Sequence, residues 1–232
     1  MIPEFQLPIK YFTEPDGLMI DVGANKGGSF MPFARKGWKV IAIEPLLELA
    51  NDLLRRTVSL KNVIVINTAI SDRVSKDVPF YTTHESDGMG ALHPFRPAHR
   101  KTSLVNVTTL KHIVAQQNIR QVDFLKVDAE GFDLMVLKGF PFNKIKPKLI
   151  EVEFGNVKTK HIGYTADELY RYLEDQDYRV IVSEWAHAKY VGGKFEHKWL
   201  GYRKELTDEM YWGNMFAVSK FAYPRLKSMC GL

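Results

Sequence analysis

The sequence predicts an α/β fold, Rossmann-like and doubly wound, with helices on both faces of a mostly parallel sheet. Three observations carry that prediction: short apolar runs rich in β-branched residues, helical periodicity between them, and a glycine turn straight after the first run. The runs are Leu18 to Val22, Val40 to Ile43, Val63 to Ile66, Phe124 to Val127 and Leu149 to Phe154. Their continuous apolar character predicts strands buried on both faces.

The elements follow in order. In LMIDVGANKGGSFMPFARKG, Gly23 and Gly27 let backbone approach a ligand closely, and Gly28 with Ser29 opens a helix whose free N–H groups favour an anionic group. KVIAIEP is the second strand. Leu46, Leu49, Ala50, Leu53 and Leu54 then keep the i, i+3, i+4, i+7, i+8 spacing of a helix. The third strand ends in NTAISD. After Phe124 to Val127 a short helix is predicted over Glu130 to Lys138, stopped by Gly139 and Pro141, and KPKLIEVEF supplies the fifth strand. Thr165 and Glu168 form a capping box ahead of Leu169, Tyr172 and Leu173, and NMFAVSK is the last strand.

Two stretches break the rhythm. Residues 82–103 are rich in Gly, Pro, His and Arg and read as a long loop of the lid or binding type. Residues 185–213 gather Trp185, Tyr190, Phe195, Trp199, Tyr202, Tyr211 and Trp212, and are predicted to cover the site or an edge. The 232 residues, 45% hydrophobic and 25% charged, suffice for a single domain over 1–232. The net charge of +5 is spread without a polybasic block, which gives little support for a nucleic-acid partner. One cysteine, Cys230, forbids an internal disulfide and points to the cytoplasm. No segment has the length of a membrane span, so contact with a membrane would be peripheral, through a glycolipid acceptor.

The nucleotide end has a polar residue at each strand terminus, which is the crevice rule of open α/β sheets. Asn25 stands where the dinucleotide fingerprint needs its second glycine. Asp21 repels a pyrophosphate but attracts an ammonium or a sulfonium, and S-adenosylmethionine carries both. Glu44 ends the second strand about 20 residues after the turn, where an acid accepts from ribose hydroxyls. Asn67, Ser71 and Asp72 are placed to line an adenine. Each has a plain structural role too: Asp21 as a turn former, Glu44 as a helix cap through Pro45, and Asp72 in an Asx turn.

In their order and spacing IDVGANKG, IAIEP, NTAISD and VTTLKHIVAQQNIRQVDFLKVDAEGFDLMVLKG resemble the FkbM family of S-adenosylmethionine-dependent methyltransferases, over roughly Leu18 to Phe154. The resemblance implies a seven-stranded class I methyltransferase fold with an antiparallel last strand, and O-methylation of hydroxyls on glycans or polyketide-like products. It also implies a cofactor site of Asp21, Gly23, Ala24, Asn25, Gly27, Glu44, Pro45, Ser71, Asp72 and Asp128.

Sheet topology and resemblance both put Asp128 beside the reacting centre, as base, as partner of the methionine ammonium, or, if a divalent metal takes part, as its ligand with Glu153. Glu130 is a second catalytic candidate or simply a helix-start acid stabilised by the helix dipole. Lys126 shares a strand face with Asp128 and is either catalytic or paired with Asp128 or Glu153. His84, His93 and His99 lie in the 82–103 stretch, and His93 beside Pro94 is the one expected to act. The seven histidines show no zinc spacing. A saccharide is the expected acceptor, with a small-molecule hydroxyl, a nucleic acid and an inactive cofactor-fold binding protein as the rival readings. Absence of an Asn-Pro-Pro-aromatic run after the fourth strand argues against base methylation.

Overall fold

The computed structural model describes residues 2–83, 86–191, 194–200 and 211–232. The strands are β1 (Leu18–Val22), β2 (Lys39–Ile43), β3 (Val63–Ile66), β4 (Ala69–Ile70), β5 (Ser75–Thr83), β6 (Ser86–Ala91), β7 (Arg100–Thr108), β8 (Phe124–Val127), β9 (Leu149–Gly155), β10 (Tyr178–Val191), β11 (Lys194–Leu200) and β12 (Tyr211–Ser219). The helices are α1 (Leu7–Tyr11), α2 (Met31–Arg35), α3 (Leu47–Thr57), α4 (Leu110–Gln116), α5 (Asp133–Lys138), α6 (Asn156–Thr159), α7 (Ala166–Asp175) and α8 (Tyr223–Met229). The main sheet has the order β11-β10-β12-β9-β8-β1-β2-β3. β3, β2, β1, β8 and β9 are mutually parallel, and β12 pairs antiparallel with both β9 and β10. The seven-stranded sheet with its antiparallel last strand is therefore present, with β11 added at one edge.

Alternation along the central strands sorts their side chains between two cores. Ile20, Val22, Leu125, Val127, Ile150 and Val152 pack with α4, α5 and α7 on one face. Met19, Phe124, Leu149, Ile181 and Phe216 pack on the other face with α1, α2, α3 and α8. The capping box at Thr165 and Glu168 forms as its spacing predicts. No helix among the described residues is long and apolar enough to cross a membrane.

The 82–103 stretch is not a long loop. The end of β5, β6 and the start of β7 occupy about half of it, and with β4 they make a second, four-stranded sheet around Ala69, Phe80, Val105 and Val107. Its strands hide in the sequence because exposed Leu104 interrupts the alternation of β7, and Pro79 and two glycines sit in β5 and β6. The 185–213 segment likewise continues the main sheet through β10, β11 and the start of β12. His84 and Tyr202, and the side chains of His187, Tyr190, Phe195 and Tyr211, lie outside what the structure describes.

β1 and β8 are neighbours in space although the chain makes β2 to β7 between them. The strand order reverses there, so a crevice opens beyond their carboxyl ends. Gly23 seals its floor: with φ of 78°, a Cβ on it would lie 1.9 Å from the Asp128 carbonyl oxygen. Gly23→Ala should lower stability by about 2–4 kcal/mol in chemical denaturation. Gly28→Ala, where a Cβ meets nothing within 4 Å, should cost under about 1 kcal/mol.

Candidate active site

The crevice lies between the glycine turn, the carboxyl end of β2 and the second sheet. Gly23, Asn25, Glu44, Pro45, Asp128 and Glu130, all expected from the sequence, line it. Leu46, Leu49, Phe80 and Leu92 give it apolar walls, Phe80 from β5 and Leu92 from just after β6. Ala24 and Gly27 are buried behind the wall. Ser71 and Asp72 lie outside the crevice, where Ser71 Oγ donates to Asp72 Oδ1 at 3.2 Å. Asn67 Nδ2 donates to the Glu44 and Pro45 carbonyls, bracing the strand ends.

Glu44 is 4% exposed and fixes two segments. Its Oε2 accepts from the Asn25 N–H and its Oε1 from the Leu46 N–H, both at 2.9 Å, so it caps the approach to α3 and holds the turn. Burial pushes its carboxyl up, against the pull of these two hydrogen bonds. Each oxygen keeps acceptor capacity toward the crevice. Asn25, with φ of 44°, has a buried Oδ1 without a hydrogen-bond partner. These acceptors and the apolar walls suit a nucleoside carrying hydroxyl and ammonium donors.

Below the crevice lies a row of charge. Asp21 on β1, Lys126 on β8 and Glu151 on β9 are register partners and so share one face. Lys126 Nζ is 3.2 Å from Asp128 Oδ2 and 3.7 Å from Asp21 Oδ1. Although burial works against the Lys126 ammonium, the carboxylates Asp128, Asp21 and Glu151 outweigh it and raise its pKa, so it stays protonated. Asp21 is wholly buried and accepts from Ser29 Oγ at 2.9 Å. α2 begins only at Met31, so Ser29 anchors the turn instead of opening the helix. Burial pushes Asp21 up; Lys126 and Ser29 pull the other way.

The next row outward holds Asp128, Glu130 and Glu153, whose carboxylate oxygens lie within 4.8 Å of one another. Glu130 is not a helix-start acid. α5 begins three residues later, because Glu130 and Gly131 take positive φ, 50° and 101°. The helix-start acid is Asp133, whose two oxygens accept from the Ala129 and Gly131 N–H groups at 2.9 and 3.0 Å. Lys158 of α6 reaches in from the other side, 2.7 Å from Glu130 Oε2 and 2.5 Å from Glu153 Oε2. Burial raises the Asp128 pKa, but Lys126, Lys158 and a hydrogen bond with Glu153 more than offset it and hold Asp128 below the usual carboxylate range. For Glu130 and Glu153 burial wins, and both are raised despite Lys158.

His93 lies in the connection from β6 to β7, with its ring 6.4 Å from that of His161 and its Nδ1 without a partner. Phe95 in the same connection lies 5.9 Å from Lys158 Nζ. Beyond Glu153 the strand face continues as Gly155, Trp212 and Trp185, register partners across β9, β12 and β10. The two indoles are near-parallel, 22° apart, with centroids at 6.1 Å. Glu4, from the N-terminal 3-10 turn, holds this platform by accepting from Ser183 Oγ at 2.7 Å, Trp185 Nε1 at 2.5 Å and Asn214 Nδ2. Sequence reading missed Glu4 and Lys158. Glu4 precedes every predicted element; the one sequence signal for Lys158 is the alternation of IEVEFG, which sets Glu151 and Glu153 on one strand face.

The chain matches the family described as "Methyltransferase FkbM domain" over residues 21–180. No curated protein matches it. A crystal structure of methyltransferase FkbM from Methylobacillus flagellatus superposes with a TM-score of 0.52 at 17% identity, covering 88% of this chain and 43% of the other. This chain thus spans less than half the length of that relative. Precorrin-6y C5,15-methyltransferase from Geobacter metallireducens gives 0.47 at 12% identity, covering 92% and 85%. Precorrin 8w decarboxylase from Methanobacterium thermoautotrophicum gives 0.47 at 17%, covering 93% and 90%. At 17% identity the likeness to the Methylobacillus structure is one of fold.

Asp133→Ala should orphan two N–H groups in the Glu130 turn and cost about 1–3 kcal/mol in a denaturant titration.

Proposed function

Since the chain belongs to the FkbM methyltransferase family, which draws its methyl group from S-adenosylmethionine, we propose that it methylates a hydroxyl of a saccharide, free or within a polysaccharide, glycolipid or sugar nucleotide. The observation that carries the acceptor class is the Trp185–Trp212 platform, which continues the strand face of Glu153 away from the cofactor crevice. Indole faces stack on the C–H faces of sugar rings, and carboxylates at the platform's inner end accept from ring hydroxyls. The cofactor supplies an electrophilic methyl carbon on a sulfonium.

The chain's own residues supply alignment and a proton acceptor. Glu44 accepts from the ribose hydroxyls, Asn25 Oδ1 from an ammonium or hydroxyl, and Leu46, Leu49, Phe80 and Leu92 enclose the base. Asp128, kept ionised by Lys126 and Lys158, acts as a fixed anion facing the acceptor. Glu130 lines the same crevice, and burial raises its carboxyl pKa, which suits it to take the hydroxyl proton. His93 lies on the acceptor side as a polar contact. We read residues 1–232 as one catalytic domain, in which 82–103 and 185–213 form the acceptor side. The single buried free thiol, Cys230, accords with the cytoplasm.

Three outcomes test this reading. Glu44→Ala should weaken S-adenosylhomocysteine binding about 10- to 100-fold in calorimetry. With labelled cofactor, a glycan panel should be labelled and a panel of apolar polyketide alcohols should not; the reverse pattern refutes the saccharide assignment. Turnover should fall on the acid side as the raised Glu130 carboxyl takes up a proton, and Glu130→Gln should remove that limb and lower turnover about 10²- to 10⁴-fold.

A further inference from the structure

Three carboxylates converge in this site, and a lysine ammonium is ion-paired with two of them. The oxygens of Asp128, Glu130 and Glu153 lie within 4.8 Å of one another. Oxygen ligands of a divalent cation, at about 2.0–2.6 Å from the ion, span the same separation. Lys158 Nζ sits 2.7 Å from Glu130 Oε2 and 2.5 Å from Glu153 Oε2, and its side chain is 16% exposed.

The backbone is shaped for this contact. Gly131, at φ of 101°, lets the Glu130 turn close onto α6, since a Cβ there would lie 3.1 Å from both Lys158 Cβ and the Lys158 carbonyl oxygen. From the side of the second sheet, Phe95 covers the ammonium, 5.9 Å from its ring.

We propose that Lys158 is a positioning residue whose ammonium takes, among Asp128, Glu130 and Glu153, the place of a divalent cation, so that the site orients its acceptor hydroxyl without a metal ion. The proposal rests on the methyltransferase reading for its function, but not for its geometry. A tethered ammonium differs from an ion in two respects. It cannot be removed by a chelator, and its single charge leaves the three carboxylates with excess negative charge. A dication would hold all three ionised and weak as bases. One ammonium leaves a carboxylate able to accept the proton that an acceptor hydroxyl releases.

The test is a calorimetric titration of Mn²⁺ alone into the full chain, as wild type, Lys158→Ala and Lys158→Met, each also titrated with S-adenosylhomocysteine. Removing the ammonium should expose the three carboxylates, so both variants should bind Mn²⁺ at least tenfold more tightly than the wild type. Glu153→Gln introduced beside Lys158→Ala should abolish the gain. Methyl transfer by the wild type should be insensitive to EDTA, whereas that of Lys158→Ala should be restored by Mn²⁺. Either of two results overturns the proposal: variants that bind S-adenosylhomocysteine but no Mn²⁺, or wild type that binds Mn²⁺ in a Glu153-dependent way and loses activity to EDTA. If both variants fail to fold, the wild-type Mn²⁺ and EDTA measurements still decide it. Failure of the wild type to bind S-adenosylhomocysteine strikes the methyltransferase reading, while the Mn²⁺ contrast still decides the role of Lys158.

Discussion

Lys126 is the charge on which the site depends. Its ammonium lies between Asp21, wholly buried under the glycine turn, and Asp128, the first residue beyond β8. β1 and β8 are joined only by hydrogen bonds and packing, since a long stretch of chain intervenes between them. An unpaired carboxylate at this seam would cost several kcal/mol, and truncating one member of a buried pair typically costs about 3–5 kcal/mol. Lys126 therefore neutralises the seam and keeps Asp128 ionised at the mouth of the crevice.

Two lysines divide the work above and below Asp128. Lys126 comes up from the sheet, and Lys158 comes down from α6. Asp128 feels both and stays ionised, whereas Glu130 and Glu153 feel mainly Lys158 and are raised by burial. Neighbouring acids of the same chemical type thus acquire opposite tendencies, the difference on which the proposed division between an orienting anion and a proton acceptor rests. The N-terminal turn joins this arrangement through Glu4, which ties β10 and β12 together where the Trp185–Trp212 platform begins.

The parallel core was legible because its signals are local. Five apolar runs, a glycine turn and a capping box each announce themselves within a few residues, and Glu44, Asn25 and Asp128 follow from position at a strand end. What stayed hidden depends on contacts distant in sequence. Nothing near Lys158 shows that Glu130, 28 residues earlier, folds onto it; Gly131 hints at the positive φ, but the predicted helix absorbed it. The second sheet was hidden because its strands carry apolar residues on the exposed side as well, and β6 is built around glycines. Ser71 and Asp72 follow β4, whose Ala69 and Ile70 line the crevice, and fall just past its lining.

The central claim is that charge at the carboxyl ends of β1 and β8, with Glu44 at the end of β2, forms one cofactor site. A crystal structure of the chain with S-adenosylhomocysteine tests it most directly. The account predicts ribose hydroxyls on Glu44, the base between Leu46 and Phe80, and the sulfur beside Asp128. A nucleoside bound elsewhere, with Glu44 still serving only the Asn25 and Leu46 N–H groups, would contradict it.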